Sequence, residues 1–381
     1  MKKTLSIVSA ILSAVIISGC LDSSKTNSAT NSNSRNKPIV VGNNMKTGYI
    51  GSLKIPDRSV LPQDIAFDPA KESLIVSGAG KESIERGQIW EAGRDETVFS
   101  VDPVVTTGTE TFLKGDGISY DPFKGILYAC SNPGNRLSTV HPTVVVFERN
   151  NENEFIWKAV INFETKDHEY CAKLHLLDGF LFVVNKFADD KTYAALYSVN
   201  TEVDPLPANL GVSVTYEKIG YDNPADVLNK PLINSIQRVE QHEIGTWKLL
   251  LLDQNKKQIF EVALEKPTTA TDPLALVGSI KKRSIPGDID TPLSFLNRDD
   301  ELMFIADKDA VYSAMYSKEG ELIKSSKFSD LSLNMNVTGM SFGQDKFGAT
   351  IYPVFFLTSQ TLHKQSYYTV DEFAFDPITG M

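Results

Sequence analysis

Cysteine, tryptophan and histidine are scarce in this chain: 3 Cys, 3 Trp and 5 His among 381 residues. Three cysteines are too few for a scaffold held by many disulfides. His141, His168, His175, His242 and His363 show none of the spacings that bind zinc, which argues against a zinc enzyme. Lys and Arg never run beyond short groups such as Lys281-Lys282-Arg283. With a net charge of -10, the footprint of a nucleic-acid binder is missing, so no nucleic-acid partner is expected. No stretch reaches the roughly 20 apolar residues that a membrane-spanning helix needs. After residue 47 no window sustains a helical period either.

What is present starts at the N-terminus. Lys2 and Lys3 precede an apolar run from Leu5 to Ile17 and a small-residue site, the layout of a secretory signal. Ile17-Ser18-Gly19-Cys20 resembles a bacterial lipobox, which implies cleavage after residue 19 and lipidation of Cys20, palmitate included. Losing residues 1–19 removes two Lys and moves the charge from -10 to -12. Residues 22–36 have no aromatic and one Ala as their only apolar side chain, too little to fold. The expected organisation is therefore a signal peptide (1–19), a lipidated Cys with a flexible Ser/Asn-rich tether (20–46) and a globular part (47–381). Multiple acyl chains would hold Cys20 at a membrane of the cell envelope. Leu21, rather than Asp, resembles the outer-membrane sorting pattern of bacteria with two membranes, leaving its periplasmic or surface face open.

The globular part reads as all-β. Short runs such as Ser73-Leu-Ile-Val-Ser77, Thr143-Val-Val-Val-Phe147 and Lys248-Leu-Leu-Leu-Leu252 are bounded by Gly, Pro, Asn or Asp. They also recur. Ile65-Ala-Phe-Asp-Pro69 followed by Leu74-Ile-Val-Ser77 returns as Ile118-Ser-Tyr-Asp-Pro122 followed by Leu127-Tyr-Ala-Cys-Ser131. Looser copies end on Asn185, Asp253, Asp307 and Thr358, so the closing polar residues lie 54, 54, 68, 54 and 51 apart. A period near 50 built from four short strands is the pattern of β-propeller blades. Six units are counted. The last has room for a third strand at 366–375 but hardly a fourth, and Gly48-Tyr-Ile-Gly-Ser-Leu-Lys-Ile55 is expected to close the last blade from the other end of the chain.

On these residues the chain resembles six-bladed propellers of the broad group containing NHL-repeat, SMP-30/gluconolactonase-like and TolB-like domains. Leu252-Asp-Gln-Asn-Lys-Lys-Gln-Ile259-Phe-Glu-Val262 is the unit most similar to an NHL repeat. That architecture serves hydrolases, binders and scaffolds alike. In it, the loops before each innermost strand and after each second strand share one face. Here these positions hold Asp64, Asp116, Asp167-His168-Glu169, Asn234, Asp288, Asp290 and Asn336, with Ser131-Asn132, Asn185, Asp253 and Asp307.

Oxygen ligands converging on an axis would suit Ca²⁺, with Asp116, Asn185, Asp253 and Asp307 as the metal candidates. Lys114-Gly-Asp116-Gly-Ile-Ser-Tyr-Asp121 resembles the Asp-Gly-apolar segment of the SMP-30 group, which implies a calcium-dependent lactonase or esterase with Asp116 on the metal. That group's Asn-Gly and Asn-Asp-Gly segments have no counterpart, and Gln63-Asp64 replaces its early Glu. The other reading is that these short polar side chains cap strand ends by accepting loop N–H groups. The primary expectation is a binding module for a protein or small molecule, with the long top-face segments 78–87, 131–143 and 221–234 as its contact surface.

Two further matches fail on context. Gly339-Met-Ser341-Phe-Gly343 fits G-x-S-x-G but falls within an expected strand rather than a strand-turn-helix elbow. Gly78-Ala-Gly80-Lys81 lacks the first Gly and the Ser or Thr of a phosphate loop. Cys130 and Cys171 fall near one face in adjacent units of an exported protein, either as a disulfide or as two buried thiols.

Overall fold

The computed structural model describes residues 39–41, 47–55, 60–80, 87–93, 112–133, 141–163, 170–186, 193–220, 232–239, 245–266, 274–297, 302–308, 310–328, 335–343, 352–362 and 365–375. The signal peptide, Cys20 and the tips of the long segments at 81–86, 134–140 and 221–231 lie outside them.

Among the described residues all regular structure is β. Strands β1 (Ile39–Val41) and β2 (Thr47–Ile55) come first. The sheet that follows has three strands: β3 (Val60–Asp68), β4 (Ser73–Gly80) and β5 (Gly87–Gly93). Next come β6 (Lys114–Asp121), β7 (Ile126–Asn132), β8 (Thr143–Arg149) and β9 (Phe155–Asn162) in one sheet. A second set of four is β10 (Cys171–Leu177), β11 (Phe180–Asn185), β12 (Ala194–Asn200) and β13 (Gly211–Thr215). A third is β14 (Ile233–Val239), β15 (Thr246–Asp253), β16 (Gln258–Glu265) and β17 (Lys281–Ser284). A fourth is β18 (Ser294–Asn297), β19 (Leu302–Ala306), β20 (Val311–Tyr316) and β21 (Leu322–Phe328). Finally β22 (Met335–Phe342), β23 (Tyr352–Leu362) and β24 (Gln365–Phe375) continue into β2 and β1.

The chain is an all-β propeller. The expectation of six like units of four strands needs correcting. Five sheets carry four or five strands, whereas β3-β4-β5 carries three among the described residues. β2 pairs antiparallel with β24, Thr47 opposite Phe375 and Ile55 opposite Tyr368. β1 lies inside the segment expected to be tether and pairs with β2.

The packing follows from sequence periodicity. Leu249 to Leu252 of β15 are buried as a continuous apolar run, because a sheet stacked on both faces needs apolar residues at successive positions. Leu249 and Leu251 face Phe182 and Phe260, whereas Leu250 and Leu252 face Phe295 and Ile305 of the following sheet. One strand thus contributes to two cores. The core between the first two four-stranded sheets gathers Tyr128, Val144, Leu181 and Val183 in the same way.

Polar groups join the sheets at their ends. Arg149 reaches Asp68 at 3.1 Å and Glu91 at 2.6 Å, and donates to the Tyr120 hydroxyl at 3.1 Å. The Asp-Pro pairs close tight turns: Asp68 Oδ1 accepts from Ala70 N at 2.9 Å and Asp121 Oδ1 from Phe123 N at 2.9 Å. The innermost strands pack in succession, β3 on β6, β6 on β10, β10 on β14, β14 on β18, β18 on β22 and β22 back on β3.

Candidate functional site

Five innermost strands share one irregularity. Register shifts fall at 62/64, 115/118, 171/173, 233/235 and 337/339, each at the strand's start. Such bulges turn a side chain off its own sheet. Asn234, at one of them, donates from Nδ2 to the Leu293 carbonyl of the next sheet's approach at 3.0 Å. Asp64, beside another, accepts at Oδ2 from Ile118 N of β6 at 3.0 Å. Close approach of the strands also requires glycine: a Cβ on Gly117 would lie 2.5 Å from Lys173 Cα and 2.6 Å from Ala172 O.

Inside these strands lies a cavity of about 270 Å³, lined from β3, β6, β10, β14, β18 and β22. Its lining is mainly polar, with Ser119, Ser235, Ser294, Ser341, His175 and Gln237, set among Ile118, Leu174, Ile236, Leu296 and Met340. Two charged side chains line it. Lys173 Nζ meets Asp64 Oδ1 at 2.5 Å, and both residues are buried. Burial pushes the Asp64 carboxyl above the usual carboxylate range, opposed by the Lys173 ammonium and by the Ile118 and Ile65 amides.

The four metal candidates are elsewhere. None of Asp116, Asn185, Asp253 and Asp307 lines the cavity. Asp116 Oδ2 accepts from the Tyr170 hydroxyl at 2.8 Å, and Lys114 and Lys186 stand 5.9 and 5.5 Å from that tyrosine ring. Asn185 Oδ1 accepts from Tyr170 N at 3.0 Å, while its Nδ2 donates to Ala194 O at 3.2 Å. Asp253 Oδ1 takes the amides of Asn255 and Lys256 at 3.0 and 3.2 Å. Asp307 takes those of Asp290, Thr291 and Lys308 at 3.0, 2.8 and 2.7 Å. Three of the four therefore bond backbone groups of adjoining loops, as short polar caps do. Among the described residues no three His, Cys, Asp or Glu side chains gather to hold a metal ion. Burial raises the Asp253 carboxyl above its ordinary value, opposed by the Lys256, Leu232 and Asn255 amides.

Asp167, His168 and Glu169 lie outside the described residues, as does the side chain of Asn336. Asp290 is exposed and meets Lys257 at 3.4 Å. Ser341 is the penultimate residue of β22, inside a strand rather than at a strand-to-helix turn. Cys130 of β7 and Cys171 of β10 form a disulfide with Cα atoms 5.4 Å apart. Asn132 reinforces it, donating to Cys171 O at 2.8 Å and accepting from Cys171 N at 3.0 Å.

Sequence reasoning named Asp64 but missed Lys173, His175 and Gln237. Its search favoured carboxylates at loop ends. The available signal was Lys173 itself, a charge in the second position after Cys171 of an otherwise buried innermost strand.

No family model matches the chain, and no curated protein matches it in sequence. Among solved structures, it is similar to a glucose dehydrogenase at 11% identity and a TM-score of 0.46, covering 85% of this chain and 98% of that one. It is likewise similar to the soluble aldose sugar dehydrogenase from Escherichia coli, at 8% identity and a TM-score of 0.45, covering 84% and 99%. An exo-beta-1,3-galactanase from Phanerochaete chrysosporium aligns over 67% of this chain and 58% of its own, at 10% identity and a TM-score of 0.39. At such identities, activity has to be argued from this chain's own residues.

Proposed function

We propose that this chain is an exported lipoprotein, held at the cell envelope through Cys20, whose propeller is a small-molecule binding module rather than an enzyme. The lipobox resemblance and the short apolar h-region support the anchor, and Leu21 supports the outer membrane. In this reading β3-β4-β5 is the sixth blade, and β2 closes the ring by pairing the two ends of the chain. The succession of innermost strands round to β3 supports that closure.

One observation carries the binding reading: a cavity of about 270 Å³ with mixed polar and apolar lining and a buried ion pair on its wall. Binding pockets fix a ligand's orientation with a few placed polar groups, and this cavity, more polar in its lining than most, falls just below their range of roughly 300–1,000 Å³. The loop carboxylates that a calcium-dependent lactonase would use are instead engaged with loop backbone and Tyr170.

The test has two arms. Growth with labelled palmitate should label the protein and leave Cys20→Ala unlabelled. A thermal-shift screen of small metabolites should give stabilising ligands that Gln237→Trp, which adds bulk to the cavity lining, no longer accepts. Hydrolysis of lactones or aryl esters that chelation abolishes would overturn the reading in favour of the enzyme.

A further inference from the structure

The cavity's two sides differ in chemistry. Asp64 on β3 and Lys173 on β10 bring one negative and one positive charge together. Across from them, β14, β18 and β22 line the cavity without a charged side chain, through Ile236, Leu296 and Met340 together with Ser235, Gln237, Ser294 and Ser341.

The pair is incompletely satisfied. A lysine ammonium has three donors. Lys173 Nζ is buried, its charged contact is one Asp64 oxygen, and among the described residues no further hydrogen bond fills its remaining N–H groups. A carboxylate offers about four acceptor positions. Those of Asp64 take Lys173 and the Ile118 and Ile65 amides, which leaves capacity for one more donor.

Three ligand classes can be weighed against this wall. A simple anion would use the spare Lys173 donors but bring uncompensated charge into a buried site, which is costly. A simple cation would have the same fault and find fewer acceptors. A neutral molecule would forgo the charge-assisted bonds, which are roughly twice as strong as neutral ones. A molecule carrying both charges close together loses on neither count.

We infer that the cavity takes a small zwitterion of the α-amino-acid type, its carboxylate on Lys173, its ammonium beside Asp64 and its side chain toward the uncharged wall of β14, β18 and β22. This rests on the reading of the cavity as a binding site and specifies the ligand's class. The ion pair serves as a template: each protein charge remains next to its partner and gains a second one from the ligand.

Titration calorimetry on the purified full-length protein tests it with three probes of like shape: L-leucine, isocaproate without the ammonium, and isoamylamine without the carboxylate. L-leucine should bind, and each truncated analogue should bind roughly 10- to 100-fold more weakly, the loss expected for a charged hydrogen bond. Lys173→Met should weaken L-leucine similarly. The analogue series uses the unaltered protein, so it decides the matter even if that variant does not fold. Equal affinity for isocaproate or isoamylamine overturns the zwitterion. Binding of other screened molecules, but of none of the three probes, overturns it too while the cavity remains a binding site. Absence of any small-molecule binding overturns both readings.

Discussion

Asp64 and Lys173 meet at 2.5 Å although they belong to sheets that are not neighbours, with the four strands β6 to β9 between them in the chain. Gly117 of that intervening sheet packs directly on the Lys173 backbone. A buried pair of this kind gives little net stability when intact, but is costly to break because one charge is left unpaired. Lys173→Met should therefore destabilise the fold by about 3–5 kcal/mol at neutral pH. The double variant Asp64→Asn/Lys173→Met should recover most of that loss. Urea denaturation of the two single variants and the double variant gives the coupling.

Asp253 makes a pH prediction. Its folded carboxyl binds a proton more tightly than the unfolded one, because burial raises it from 3.8. Stability linked to it is therefore present in acid and falls as pH rises from about the ordinary carboxylate value through the raised one. Asp253→Asn keeps an oxygen for the Asn255 and Lys256 amides but cannot ionise. The melting temperature of the variant relative to the parent should rise as pH increases from 4 to 8, and a constant difference would count against the assignment.

The disulfide gives a third expectation. Cys130 and Cys171 are 41 residues apart, so loop-closure entropy assigns their bond about 4 kcal/mol. Cys130→Ala/Cys171→Ala should lower the unfolding free energy by that order, and reduction of the parent should have a comparable effect. A denaturant midpoint unchanged by both treatments would refute it.

A fourth expectation concerns the proposed closure. Deleting residues 47–55 removes the partner of β24 and leaves that strand's edge unpaired. Melting should become broad and move to lower temperature. Deleting residues 22–36 should leave the transition in place.

The architecture was legible because repeating strands announce themselves locally. Leu249 to Leu252 can be read as a doubly buried strand from four consecutive side chains, and Asp68-Pro69 and Asp121-Pro122 as turns from two. The candidate site was legible only in part. Asp64 stood out as an acid at a strand's start, but Lys173 looked like one lysine among many. A strand pattern says which face a side chain takes and nothing about what lies across a channel.

By itself, the sequence determined the all-β class, the order of short strands around turn residues, the signal-like N-terminus and the cysteines close enough in position to be weighed as a pair. Those properties depend on side-chain periodicity, turn chemistry and composition, which act over a few residues. Only the tertiary structure decided which loop amides Asp253 and Asp307 accept, and that Asp64 finds Lys173 across the intervening sheet. The reason is geometric. Bulges at the starts of the innermost strands re-aim side chains by steps that no local pattern records, and the radial packing of sheets brings together residues 109 positions apart.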